Sequence, residues 1–126
     1  MGRRFSFGRQ ARLVRRADFD RVFARRCRAG DNRLAVYVDT APCDHARLGI
    51  SVSKRVGIAV VRNRAKRRVR EAFRTRRHDL AAVDVVCVIR QADATVADFA
   101  RSLERLVAIA ADKLNKTDTP HRLGER

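Results

Sequence analysis

The chain has 126 residues, enough for one compact domain and too few for two of ordinary size. Thirty Lys and Arg against fourteen Asp and Glu leave a formal charge of +16. Folding that much like charge costs self-repulsion unless a polyanion shares it, nucleic acid first and an anionic membrane second. Three widely spaced cysteines, no CxxC pair and no apolar run long enough to span a bilayer argue against a disulfide scaffold and a membrane-spanning protein.

The charge is unevenly distributed. Residues 1–46 carry eleven basic and five acidic side chains, residues 47–78 twelve and one, and residues 79–126 seven and eight. A uniformly solubilising surface would not be concentrated this way, so the middle third reads as a binding element. Cys27, Cys43 and Cys87 share no ligand spacing with His45, His78 or His121, and no metal site is expected. The N-terminus is basic but lacks the apolar run of a signal peptide, which predicts a cytoplasmic protein.

Residues 1–14, with Arg3, Arg4, Arg9 and Arg12, read as a flexible basic arm. Asp18 is a candidate N-cap for a helix running to about Arg28, with Gly30 as the stop. Phe19, Val22, Phe23 and Cys27 recur at helical spacing. From Arg33 to Asp39 the period changes to two: Leu34, Val36 and Val38 point one way, Ala35 and Tyr37 the other. Thr40 to Ala46, with Pro42 and Asp44, reads as a hairpin loop, and Arg47 to Ser53 alternates again. Side by side, the two strands share an aliphatic face made by Leu34, Val36, Val38, Leu48, Ile50 and Val52. The other face holds Ala35, Tyr37, Gly49 and Ser51. Small residues there suit either a ligand that comes close or tight packing against a helix.

Gly57 opens a helix to about Arg76 whose buried stripe is Val61, Ala65, Val69, Ala72 and Phe73. Its opposite face carries Asn63, Lys66, Arg67, Arg70 and Arg74, flanked by Arg62, Arg64 and Arg68, with Glu71 the only acid. Like charges at i and i+4 destabilise a helix, so a counter-charge is expected. The apolar run within Asp84–Arg90 predicts an interior, parallel strand. Thr95 and Asp98 resemble a capping box ahead of a helix whose stripe is Phe99, Leu103, Leu106, Val107, Ala110 and Leu114. Residues 115–126 are polar and read as a disordered tail, leaving residues 15–114 as a single α/β domain. The order helix, strands, basic helix, strand, helix makes a small α/β sandwich with one sheet.

The stretch Arg47-Leu48-Gly49-Ile50-Ser51-Val52-Ser53-Lys54-Arg55-Val56-Gly57, followed by Arg62-Asn63-Arg64-Ala65-Lys66-Arg67-Arg68-Val69-Arg70, resembles the signature of the bacterial ribonuclease P protein family. That signature is a strand, a Ser-Lys-Lys turn, a Gly, and a helix beginning Arg-Asn-Arg. Asp18-Phe19 with Val22-Phe23, Leu34 to Tyr37 and Asp84 to Arg90 support the likeness, which covers roughly residues 12–114. Arg55 stands where the family usually has a second Lys, a planar fork in place of a point donor.

The resemblance implies a two-layer sandwich of order α-β-β-β-α-β-α, with about four strands, three helices and a left-handed crossover through the basic helix. It implies a protein subunit of a ribonucleoprotein endonuclease that removes the 5′ leader of precursor tRNA, the chemistry being done by RNA with Mg²⁺ held mainly by RNA phosphates. Lys54, Arg55, Arg62, Asn63, Arg64, Lys66, Arg67 and Arg70 would then meet the catalytic RNA. Phe19, Phe23, Ala35, Tyr37 and Ser51 would line a cleft for the single-stranded leader. Spacing alone favours core packing for the two Phe, and it suits Asn63 as readily to a tolerated surface position. No catalytic constellation of protein side chains stands out, and neither a membrane nor an obligate protein partner is expected. The competing reading is a structural RNA-binding protein of ribosomal type. A helix-turn-helix DNA-binder and a membrane-surface protein fit less well, because the basic helix is flanked by strands and has modest apolar bulk.

Overall fold

The computed structural model describes residues 12–117. Among them the elements run α1 (Arg16–Arg25), β1 (Cys27–Gly30), β2 (Leu34–Thr40), β3 (Arg47–Val52), α2 (Ala59–Arg76), β4 (Val83–Ile89) and α3 (Val96–Thr117), with 3₁₀ turns at Lys54–Val56 and Arg77–Asp79. This is the expected order of three helices and four strands.

The sheet order is β1-β2-β4-β3. β2 runs antiparallel to β1 and β4, and β3 runs parallel to β4. The expected hairpin between β2 and β3 is therefore not formed: β4 lies between them. Val83, Asp84, Val85, Val86, Cys87 and Ile89 are all buried, so β4 needs cover on both faces and takes an interior place, while β3 goes to the edge. β3, α2 and β4 form the parallel crossover to which the resemblance gives a left hand.

The large core lies between the sheet and α2 with α3. It joins Leu34, Val36, Val38, Leu48, Val85, Cys87 and Ile89 from the strands to Ala65, Val69, Phe73, Phe99, Leu103, Leu106 and Leu114 from the helices. The reciprocal bonds of the capping box start α3: Asp98 N–H donates to Thr95 Oγ1 at 3.1 Å and Thr95 N–H to Asp98 Oδ2 at 3.4 Å. α1 packs on the opposite face, where Leu13, Val22 and Val86 form a small cluster with Phe19, Phe23 and Tyr37. The two-layer expectation thus holds for the sheet with α2 and α3, and α1 adds a third, partial layer.

α1 differs from its expected bounds at both ends. It starts at Arg16, with Arg15 as N-cap and Asp18 as the acid of the first turn, where a negative charge faces the positive end of the helix. It stops at Arg26, whose left-handed φ of 62° ends the helix with an N–H bond to Phe23 O. Cys27, expected on the helix, instead begins β1. Four residues are too few to show a period, so this strand could not be read from the sequence.

The expected arm over 1–14 lies outside the described residues as far as residue 11. Beyond that, Arg12 bridges to Leu48, and Leu13 is buried and donates its N–H to Leu48 O at 2.8 Å. At the other end α3 reaches Thr117, into the expected tail. The rest of the tail, 118–126, lies outside the described residues.

Candidate nucleic-acid interface

The strand register stacks three rows on the sheet face that carries α1. Asp39, Asp84 and Arg47 form the first; Arg28, Tyr37, Val86 and Gly49 the second; Gly30, Ala35, Val88 and Ser51 the third.

The first row is an ion-pair network beneath α1. Asp84 is fully buried. Arg47 grips it with two bonds, Nε to Oδ1 and Nη2 to Oδ2, both 2.7 Å. Arg21 from α1 reaches Asp84 Oδ2 at 2.5 Å and Asp39 Oδ2 at 2.6 Å, and Asp18 closes on Arg21 at 3.4 Å. Arg25 lies 3.8 Å from Asp39. The Asp84 hydrogen bond, against the cost of burial, holds the Arg21 and Arg47 guanidinium groups in their charged form more firmly than usual.

The second row is the contact floor of α1. A Cβ built on Gly49 would lie 2.6 Å from Phe19 Cζ, so the glycine is what lets the Phe19 ring lie on the strand. Phe23 meets Tyr37 edge to face, with centroids 4.8 Å apart. Phe19, Phe23 and Tyr37 are all half-buried, so each combines packing with partial exposure. In the third row Val88 and Ser51 are half-buried and Gly30 is exposed, while Ala35, 2% exposed, shapes the floor from below.

The second group of expected residues lies along α2 and the turn before it. Lys54, Arg55, Asn63, Arg64 and Arg67 are exposed; Arg62, Lys66 and Arg70 are half-buried. Ser53 Oγ accepts from Arg55 N–H at 3.3 Å and holds the turn, and Arg62 Nε donates to Gly57 O at 3.0 Å. Ile58 and Val60 stand exposed beside them. Among the described residues no Lys or Arg between 54 and 70 belongs to an ion pair. The first pair of the helix is Arg74 with Glu71, the only acid of α2. Burial, Arg12 and Arg67 all weaken the charged form of Arg70, as expected of cations crowded without acids. Arg74, Arg76 and Arg68 do structural work instead: the first two pair with Glu71 and Glu104, and Arg68 reaches Ala92 O and Ala94 O.

One open groove of about 270 Å³ touches both regions, with Leu13 and Phe19 on one side and Lys66 and Arg70 on the other. Of the residues expected to line the leader cleft, Phe19 thus meets the basic residues at the β3 edge of the sheet, while Phe23, Ala35 and Tyr37 lie further in, toward β1.

Sequence reasoning missed the Asp84 network and Arg28. An acid opening an apolar strand was the available signal for the first, since a buried carboxylate needs a cation. The second depends on β1, which has no sequence signal.

The sequence model of the family described as Ribonuclease P matches residues 7–111. The ribonuclease P protein component of Staphylococcus haemolyticus is 39% identical over 101 residues, covering 79% of this chain and 89% of that protein. The Staphylococcus aureus counterpart is 37% identical over 102 residues, with the same coverage. Among solved structures, the Staphylococcus aureus RNase P protein superposes with a TM-score of 0.70 at 37% identity, covering 79% of this chain and 94% of the other. The RNase P protein of Thermotoga maritima gives 0.68 at 26% identity, covering 79% and 96%.

Proposed function

The chain belongs to the ribonuclease P protein family, and from that premise we propose that it binds the catalytic RNA through residues 54–70 and the 5′ leader of precursor tRNA through the α1 face of its sheet. Partnership with the RNA subunit comes with the family, and the ribosomal-type alternative loses its ground. The observation that carries the finer reading is the run of eight cations from Lys54 to Arg70 without an acidic partner among the described residues. Such a strip is electrostatically unsatisfied until phosphates neutralise it, and neutralisation releases counterions from the RNA.

The α1 face suits a different ligand. A single strand presents unstacked bases, and Phe19, Phe23 and Tyr37 offer ring edges beside the small-residue row. The groove between Phe19 and Lys66 joins the α1 face to the basic helix at the β3 edge, so the two RNA surfaces are continuous there. The protein then screens the repulsion between two polyanions and holds the leader while the RNA cuts.

We assign the hydrolysis to the RNA. The acids nearest the proposed surfaces, Asp18, Asp39, Asp84 and Glu71, are held by Arg21, Arg25, Arg47 and Arg74. They do not fit a cage for a divalent cation, so we assign Mg²⁺ to RNA phosphates. Among the described residues no helix is long and apolar enough to cross a membrane, and we place the complex in the cytoplasm with its RNA partner.

The test is reconstitution with the cognate catalytic RNA. At Mg²⁺ levels where RNA alone is slow, added protein is expected to restore leader cleavage and to raise affinity for leader-bearing tRNA over mature tRNA. A protein that changes neither rate nor affinity overturns the proposal.

A further inference from the structure

Arg28 on β1 is the cross-strand neighbour of Tyr37, and its guanidinium carbon lies 5.5 Å from the ring centroid. Two side-chain nitrogens among the described residues are buried without a hydrogen-bond partner, Arg28 Nε and Arg76 Nε. Arg76 at least has Glu104 at 3.7 Å, whereas Arg28 has no acidic partner among the described residues. A buried donor without an acceptor is a cost that an incoming oxygen removes.

A second cation points to the same place. A Cβ built on Gly30 would lie 3.2 Å from Arg28 Nη2 and 3.5 Å from Arg90 Nη1. Arg90 is tied to the backbone by Nη1 donating to Asp31 O at 2.8 Å, and it too belongs to no ion pair among the described residues. Two guanidinium forks therefore converge over the one residue of the third row that has no side chain. Like charges held together without a carboxylate call for an anion, and guanidinium geometry matches phosphate oxygens. The aromatic pair Phe23–Tyr37 beside them favours a phosphate that carries a base over a free phosphate ion.

We propose that Arg28 and Arg90 clamp one phosphodiester of the single-stranded leader at the β1 end of the sheet face that carries α1. The clamp rests on the leader reading above and adds a specificity element to it: Arg28 ties the backbone of the leader to the position where a base meets Tyr37.

The test uses reconstituted holoenzyme and precursor tRNAs in which each leader phosphate in turn is a neutral methylphosphonate. With wild-type protein, one position is expected to weaken binding about tenfold, the scale of one charge-assisted contact. Arg28→Ala is expected to weaken the unmodified substrate to a similar degree and to abolish the penalty at that position. Arg28→Lys keeps charge but loses the fork and retains part of both effects, while Lys116→Ala on α3 leaves the pattern unchanged. Penalties that are the same with wild type and Arg28→Ala at every position overturn the clamp and leave the leader reading standing. So does a loss of catalytic-RNA binding by Arg28→Ala without substrate, which moves the contact to the other RNA. Wild-type holoenzyme that binds leader-bearing and mature tRNA equally overturns both. The comparison between substrates on one variant separates contact from misfolding, because a fold defect weakens all of them alike.

Discussion

Arg21, Arg25 and Arg47 meet Asp18, Asp39 and Asp84 beneath α1, whereas between residues 54 and 70 eight cations meet no acid among the described residues. The same side-chain chemistry serves opposite ends in the two places. Under α1 the guanidinium groups are consumed: they neutralise a buried carboxylate and fasten the helix to the sheet. Along α2 the charge is left over, and the folded protein carries its repulsion until a polyanion arrives. A net charge of +16 therefore says less than the pairing map does, because only the unpaired portion advertises a binding surface.

The sharpest way to break this contrast is Arg47→Ala. It removes two bonds from a carboxylate that is fully buried, and we expect a loss of about 3 kcal/mol in urea unfolding, the scale for a buried pair that loses one partner. The salt dependence of catalytic-RNA binding should not change. A stable variant with a shallower salt slope would move Arg47 to the RNA side.

Gly49→Ala has a smaller expected effect on stability, about 1 kcal/mol, because the tip of the Phe19 ring can swing away from the added methyl. The same swing spoils the aromatic edge, so affinity for leader-bearing tRNA should fall while mature tRNA and catalytic RNA bind as before. Equal losses for all three ligands would make Phe19 a packing residue alone.

Arg67→Ala and Arg70→Ala should affect stability least, within about 0.5 kcal/mol, since neither has an acid to lose. Each should lower the log–log salt slope of catalytic-RNA binding by about 0.7–0.9. Unfolding of either variant with the slope intact would erase the distinction between the two regions.

The elements with long periods were legible in the sequence. The stripes Val69, Ala72 and Phe73 of α2 and Phe99, Leu103, Leu106 and Leu114 of α3 are buried as their spacing predicts. Val61, at the start of the α2 stripe, is only half-buried. The alternation of β2 and β3 assigned both faces of each strand, Tyr37 and Gly49 included. What periodicity does not encode is which strands are neighbours. The order β1-β2-β4-β3 follows from β4 needing cover on two faces, a demand that only the assembled sheet resolves.

The candidate site divides in the same way. The cations of α2 were readable because they lie on one helix. Arg28 and Arg90 lie about sixty positions apart in the chain, and the network of Arg21, Arg47 and Asp84 spans three elements, so no local pattern joins either set. Asp31 behaves similarly. It takes N–H bonds from Arg33 and Leu34 at one oxygen and contacts from Ser102 and Arg105 of α3 at the other. Burial opposes its ionisation, yet these bonds hold its carboxyl below the usual range.

The place of β4 between β2 and β3 has a consequence for synthesis on the ribosome. β3 emerges before the strand it pairs with, and apart from the bridge at Arg12 it has no ladder to join until β4, from Asp84 onward, has appeared. Sheet closure must therefore wait for all of α2, the most repulsive part of the chain, to be made. Contacts of such long sequence separation slow folding, and an exposed strand edge is open to wrong partners in the meantime.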